Sequence, residues 1–262
     1  MKRVGFIGFG TMGEAFAACF SRKLPALSLT AHDAKEGRVQ SAGPAYRVTA
    51  AGSAADVLRE SDLTVLAIKP QDLAAFAAGL KGAARGKAIV SILAGRTVQA
   101  ISEALGTDQV VRFMPTLAAL KGASMVGISF HPSAAPQLRQ DANALAAALG
   151  TGMEIPEKLM GAMTGVSGSG IAFVLQFVHG MALGGVAAGF DYRTALSVAV
   201  SSLKGAASLL EDGAHPVELA NRVTSPAGTT IQGIRTLERA AFTAAVMEAV
   251  EAAARKANEF ES

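Results

Sequence analysis

The chain has no tryptophan and a single cysteine, Cys19. One cysteine forms no intrachain disulfide. Set among apolar neighbours, it reads as a small core residue rather than a nucleophile. That usage fits a reducing cytosol, and a cytoplasmic location is expected. Histidine is scarce too: His32, His131, His179 and His215 show no metal-ligand spacing, so no metal is expected. His179 reads as a core or interface histidine. Charged residues make up only 17% of the chain, and its Lys and Arg form no run. A net charge of +3 is then no argument for nucleic acid, and none is expected as a partner. Met1-Lys2-Arg3 before apolar residues resembles a signal peptide only briefly, because glycines and Glu14 break the run.

Apolar residues are plentiful, at 50% of 262 residues, enough for one large domain or two modest ones. Leu159 to Phe190 carries no Asp, Glu, Lys or Arg and is long enough to span a bilayer. Ser167-Gly168-Ser169-Gly170, Gln176, His179 and Gly184-Gly185 interrupt it. A helix buried on all sides in a soluble oligomer reads the same way, and that is the expectation: no membrane.

The first half alternates between two periods. Short apolar runs at Val4–Ile7, Leu27–Ala31, Tyr46–Val48, Leu63–Ile68, Ala88–Ile92, Val110–Phe113, Ser124–Ile128 and Met153–Ile155 read as strands. Helices fall between most of them, with Ser53 and Thr97 as candidate N-caps. The pattern predicts an α/β fold with a parallel, doubly wound sheet. It stops at Pro156. Beyond lie helices only: Ile171–Gly189, Tyr192–Asp212 capped by Asp191, Pro216–Val223, and Ile231 to the end. The expected domains are 1–155, binding a dinucleotide, and 156–262, all-helical. The second is too apolar to stand alone, and burial against a second copy would resolve that.

Gly8-Phe9-Gly10-Thr11-Met12-Gly13 follows the first strand and opens the first helix. Strand, G-x-G-x-x-G, helix is the dinucleotide-binding arrangement. Gly8 permits the turn, Gly10 lets backbone N–H groups approach a pyrophosphate, and Gly13 allows close helix packing. The expected cofactor contacts are Gly8, Gly10, Thr11 and Met12, then Ala67, Lys69 and Pro70 after the fourth strand, and Ala94 and Gly95 after the fifth. Asp33 lies about 20 positions past the loop, where an acidic residue takes the ribose 2′-hydroxyl of NAD. Lys35 and Arg38 stand close by and would suit NADP, so both cofactors stay open.

Thr224-Ser225-Pro226-Ala227-Gly228-Thr229-Thr230-Ile231 is small, polar and turn-rich, and it precedes a helix. Free N–H groups at such a helix start suit a carboxylate, with the Ser225, Thr229 and Thr230 hydroxyls as further donors. Simple helix capping is the alternative. Ser167–Gly170 also opens a helix, as a phosphate loop or a packing turn. No His and Asp pair supports a serine nucleophile there.

These stretches together resemble pyrroline-5-carboxylate reductases. The likeness runs through Phe6–Met12, Leu66–Gln71, Arg112–Pro115, Thr164–Gly170 and Val223–Thr230. It implies a Rossmann domain followed by an all-α dimerisation domain that interlocks with a partner subunit. It implies an active site between the Rossmann domain and the paired helical domains. NADPH or NADH would reduce a cyclic imino acid, 1-pyrroline-5-carboxylate, to L-proline. Ser225, Gly228 and Thr229 would hold the substrate carboxylate, and Thr230 would hydrogen-bond the ring nitrogen as the catalytic residue. A protonated imine is already electrophilic, so hydride addition needs positioning more than a strong acid. The β-hydroxyacid dehydrogenases share the layout but use a lysine on the long interdomain helix, and Ile171–Gly189 has none.

The sequence departs from that family at named places. Met114-Pro115 is followed by Thr116-Leu117-Ala118 where Asn-Thr-Pro is usual, and Ile171-Ala172-Phe173 stands for Pro-Ala-Tyr. Ala227 replaces the first glycine of Ser-Pro-Gly-Gly, and Ser201-Ser202 a Gln-Thr pair. A paralogue reducing a different cyclic imine, and a non-catalytic dinucleotide-binding regulatory protein, remain alternative readings.

Overall fold

The computed structural model describes residues 1–80 and 82–260. Among the described residues eight strands form one sheet: β1 (Arg3–Ile7), β2 (Ser28–His32), β3 (Val48–Ala50), β4 (Leu63–Leu66), β5 (Ile89–Ser91), β6 (Val110–Met114), β7 (Ser124–Phe130) and β8 (Gly150–Glu154). Their spatial order is β3-β2-β1-β4-β5-β6-β7-β8. The first six are parallel, and the chain order reverses direction beside β1. That reversal makes the crevice where doubly wound folds take ligands.

The expectation of a wholly parallel sheet needs correction. β6 and β7 pair antiparallel, with Phe113 opposite Ile128. Residues 115–123 join them through one 3-10 turn, Leu117–Lys121. A parallel crossover takes a dozen or more residues, so this link can only return the chain antiparallel. β8 then pairs parallel to β7, because a full helix spans that connection. The third strand also starts later than Tyr46. Tyr46 ends a 3-10 turn and Arg47 has φ of +57°, so pairing begins at Val48.

Helices α1 (Thr11–Lys23), α2 (Arg38–Ala42), α3 (Ala54–Glu60), α4 (Leu73–Gly79), α5 (Val98–Leu105) and α6 (Pro136–Leu149) cover the sheet. Ser53 and Thr97 cap α3 and α5 as expected, each accepting an N–H from the first turn. Alternate residues of each strand feed opposite faces. Val65, Val90 and Val111 join Phe6, Phe16 and Phe20 on one side; Leu66, Ile89 and Val110 join Ile101 on the other. Phe6 stacks on Phe20 at 6.0 Å where β1 meets α1, with Phe9 and Phe16 beside them. Cys19 is fully buried there, a core residue as expected.

Helices follow β8: α7 (Met160–Met163), α8 (Gly170–Ala187), α9 (Tyr192–Glu211), α10 (Pro216–Arg222), α11 (Thr229–Arg239) and α12 (Phe242–Glu259). Asp191 caps α9 through the Thr194 N–H, as expected. Ser167–Gly170 is not a turn opening a helix. Thr164–Ser169 is π-helical and runs unbroken from α7 into α8. Two glycines and β-branched Thr164 and Val166 weaken the α-helical ladder there, and wide turns of this kind recur at functional sites.

The chain divides into two compact units, Met1–Gly168 with the end of α12 from Ala253, and Ser169–Ala252. In the second unit α8 and α9 pack on each other through Val178, Ala182, Ala195 and Ala199, the buried apolar residues there among those described. Gly185 sits against Ala195, where a Cβ would come within 2.9 Å. His179 is exposed rather than in the core, and its Nδ1 lies 3.1 Å from the Tyr192 hydroxyl.

Candidate active site

In the first unit the glycine loop has the geometry its sequence implies. Gly8 has φ of +89°, and a Cβ there would lie 2.5 Å from the Ala67 carbonyl oxygen. Only glycine fits both limits. A Cβ on Gly13 would meet the Gly8 oxygen at 2.7 Å, so α1 crosses directly over the turn. Gly10 has nothing within 4 Å of that position. It is also the N-cap of α1, and no side chain caps the helix there. The N–H groups of Thr11, Met12 and Gly13 thus begin a helix with its positive dipole end open. A pyrophosphate fits this cradle.

The loop is held from outside. Gly8 N–H donates to the His32 carbonyl at 2.9 Å, and Ala67 N–H to Ile7 at 2.8 Å. Asp33 Oδ2 accepts the Phe9 N–H at 2.6 Å and Oδ1 the Lys35 N–H at 2.8 Å. Arg38 Nε donates to the Phe9 carbonyl at 2.6 Å, and its Nη2 to Glu14 at 3.0 Å. Glu14 is the one acidic group in the first turn of α1, and Arg38 offsets its charge there. A cavity of about 270 Å³ opens beyond β2 and β3, lined in part by Asp33, Lys35, Glu36 and Gln40.

The other expected cofactor contacts lie at strand ends of the same unit. Ala67 and Pro70 are half-buried and Lys69 is exposed after β4. Arg96 Nε donates to the Pro70 carbonyl at 3.3 Å, tying the β4 and β5 loops together. Ala94 is exposed. Gly95, by contrast, is covered by Phe260: a Cβ on Gly95 would come within 2.3 Å of the Phe260 Cβ. The sequence carried no sign of that cover.

Two further features went unread in the sequence. Arg112 on β6 is almost fully buried, and Nη1 donates to Glu157 at 3.2 Å. Glu157 also accepts the Val98 N–H at 2.7 Å. One carboxylate thus fixes the start of the α7 segment to both β6 and α5. Thr116 is the second. Its N–H donates to Ser124 Oγ at 2.9 Å, and its own hydroxyl accepts from Ala118 at 3.3 Å. A threonine here caps the 3-10 turn where the resemblance leads one to expect asparagine. Met114 lies on the π-helical segment, its Cε 3.0 Å from where a Gly168 Cβ would stand.

In the second unit Ser225-Pro226-Ala227-Gly228 forms one turn. Gly228 N–H donates to the Ser225 carbonyl at 3.1 Å. Proline at the second position and φ of +58° at Ala227 match a type II turn. Thr229 and Thr230 are not loop residues, as the sequence suggested, but the first two residues of α11. Gly228 is its N-cap, with no side-chain cap. A Cβ on Gly228 would meet Ser225 Oγ at 2.3 Å. The Ser225 hydroxyl therefore stands against Gly228, the residue that precedes the open N–H groups of α11, and Thr229 and Thr230 begin the helix. Thr224 is occupied elsewhere, donating to Ala220 at 2.7 Å. Such an array can hold an anion and offer hydroxyl hydrogen bonds. Among the described residues no cluster of His, Cys, Asp and Glu could hold a metal ion.

Residues 157–260 match the family described as pyrroline-5-carboxylate reductase dimerisation. Residues 3–95 match the family described as NADP oxidoreductase, coenzyme F420-dependent. The curated pyrroline-5-carboxylate reductase of Methanosarcina acetivorans is 39% identical over 98% of this chain and 97% of its own length. A solved 1-pyrroline-5-carboxylate reductase from Streptococcus pyogenes is 26% identical with a TM-score of 0.89, covering 98% of each chain. The Plasmodium falciparum pyrroline carboxylate reductase, solved with NADP bound, shares the fold at a TM-score of 0.90 and 24% identity, over 100% of this chain and 98% of that one. Near-complete coverage at that identity, with both halves of the chain matched in order, establishes that the chain belongs to the pyrroline-5-carboxylate reductase family, NAD(P)-dependent oxidoreductases acting on a CH–NH group.

Proposed function

We propose that this chain reduces 1-pyrroline-5-carboxylate to L-proline with NADH or NADPH, as a cytoplasmic homodimer serving proline biosynthesis. The observation that carries the reading is the N-terminus of α11. It has no side-chain cap, a turn that presents the Ser225 hydroxyl, and two threonines in its first turn. The substrate carboxylate would accept from these N–H groups, favoured by the helix dipole. Ser225, Gly228 and Thr229 hold it, and Thr230 hydrogen-bonds the ring nitrogen. The glycine loop, Thr11, Met12 and the strand-end residues Ala67, Lys69, Pro70 and Ala94 hold the dinucleotide; Gly95, expected to join them, lies under Phe260.

A reduced dinucleotide held there would supply a hydride to the imine carbon. The electron pair of the C=N π bond would stay on the nitrogen of the protonated imine, which becomes a secondary amine within the ring, so no further acid is required at that atom. What the protein contributes is placement: a fixed carboxylate and a fixed ring orient one face of the C=N bond. Thr230→Ala is expected to lower turnover about 10- to 100-fold, the effect of losing one hydrogen bond to a charged group, with the dissociation constant for NADH changed less than about twofold. Equal losses in both would contradict the role. Loss of reduced-nicotinamide absorbance on mixing chain, cofactor and substrate tests the reaction itself, and no turnover with either cofactor would overturn it.

A different cyclic imino acid is the second reading, favoured by Thr116, whose backbone and hydroxyl are both committed to the 115–123 link. Faster turnover of another ring size in the same assay would decide for it. Tight cofactor binding without turnover across a panel of cyclic imines would instead favour a regulatory, non-catalytic protein.

A further inference from the structure

We infer that the chain takes NADH in preference to NADPH, and that Asp33 is the discriminating residue. The inference rests on reading the first unit as the dinucleotide site and concerns only the adenosine end. In this arrangement the ribose lies beyond the end of β2, where an acidic side chain accepts its hydroxyls and a cation would receive a 2′-phosphate. The sequence offers both, Asp33 against Lys35 and Arg38.

The structure separates them. Arg38 is turned away from the role. Its Nε is on the Phe9 carbonyl at 2.6 Å and its Nη2 on Glu14 at 3.0 Å, and it is absent from the cavity lining beyond β2. Withdrawing it would leave Glu14 uncompensated in the first turn of α1. Asp33 does line the cavity. Each of its oxygens accepts one backbone N–H, from Phe9 and from Lys35. A carboxylate has about four acceptor positions, so two remain for ribose hydroxyls. The same two bonds stop the carboxylate from swinging aside to admit a phosphate. Glu36 lines the cavity as well, against Lys35 alone, which leaves one net negative charge facing the ribose end. A 2′-phosphate there would meet net like charge, with the Lys35 ammonium as the cationic donor in the lining.

Equilibrium binding of NADH and NADPH to the purified full-length protein, read by nicotinamide fluorescence, tests this without turnover. NADH is expected to bind at least about tenfold more tightly, and 5′-AMP to displace it more readily than 2′,5′-ADP. A ratio below about tenfold, or better displacement by 2′,5′-ADP, would overturn the inference. Asp33→Ser should loosen the glycine loop and weaken both cofactors, yet bring their ratio to within about threefold; an unchanged ratio would also overturn it. Should that variant fail to fold, Glu36→Gln should cut the ratio about twofold, and no cut would count against the charge argument. Binding of both cofactors at equal strength leaves the proposed reaction standing, whereas binding of neither removes the dinucleotide reading on which it depends.

Discussion

The two units of this chain solve burial differently. The first closes its own core: both sheet faces are covered by helices, and five of its phenylalanines, Phe6, Phe9, Phe16, Phe20 and Phe113, are all but inaccessible. The second does not. Leu175 on α8 is 63% exposed and Leu183 50%, and α9 exposes Val198 and Leu209. Glu157–Ala187 is long and apolar enough to cross a membrane, but only 11% of its apolar window is buried within the chain. A domain that folds to completion hides such residues; one that leaves them on a face is shaped for a partner. The match of residues 157–260 to the family described as pyrroline-5-carboxylate reductase dimerisation supports a second copy of this chain as that partner. The first unit is thus specified by one copy of the sequence, and the second, on our reading, by two.

Leu175→Asp is the strongest way to break that contrast. A two-fold interface repeats every substitution, so it would bury two unpaired carboxylates, at several kcal/mol each. The expected outcome is loss of the dimer, measured as a fall in solution mass towards the 26.6 kDa of one chain. NADH binding, which we place in the first unit, should persist. A dimer that survives the change would show that α8 is not the covered face.

A smaller effect probes the self-sufficient unit. Asp62 precedes β4 and receives the N–H groups of Lys2 at 2.7 Å and Arg3 at 3.0 Å, and the Arg3 guanidinium at 2.7 Å. These contacts, the Lys2 N–H foremost, hold its carboxyl down to about 2. A folded value below the unfolded one adds stability above the ordinary carboxylate range and loses it as the pH falls from about 4 towards 2. The carboxyl is partly exposed, so solvent screening leaves about 1 kcal/mol. Asp62→Asn should cost that much at neutral pH by chemical denaturation at fixed protein concentration. The gap between variant and parent should narrow steadily below pH 4, and a gap independent of pH would mean the charge is not the cause.

Much of the first unit was legible because its signals are local. Glycine spacing, strand-length apolar runs and the caps Ser53 and Thr97 each state a backbone conformation within a few residues. The antiparallel return of β6 to β7 was legible in principle, since no helix fits between Phe113 and Ser124. The Glu157 carboxylate that joins Arg112 to Val98, and Phe260 over Gly95, were not. They link positions 45 or more residues apart, which no periodicity encodes. The π-helical stretch was misread because Ser-Gly-Ser-Gly looks like a turn wherever tertiary packing does not override it. In the second unit the helices were plain, but an amphipathic pattern cannot say which apolar face meets this chain and which meets another.

The smallest test falls on the turn before α11. Ala227 has φ of +58°, a left-handed conformation that costs an L-residue about 1–2 kcal/mol. The resemblance places glycine there, and glycine would remove that strain. It would also free the unfolded chain, at a cost of about 0.4–1 kcal/mol. The balance favours Ala227→Gly by about 0.5–1 kcal/mol, a rise of roughly 1–4 °C in melting temperature for a chain of this size. If the turn is instead held strained to fix the Ser225 hydroxyl against α11, the same change should raise the KM for the imine while stabilising the protein. A lower melting temperature would show that Ala227 is not strained, and a type II turn with alanine at its third position would then have to be compensated by contacts the second subunit provides.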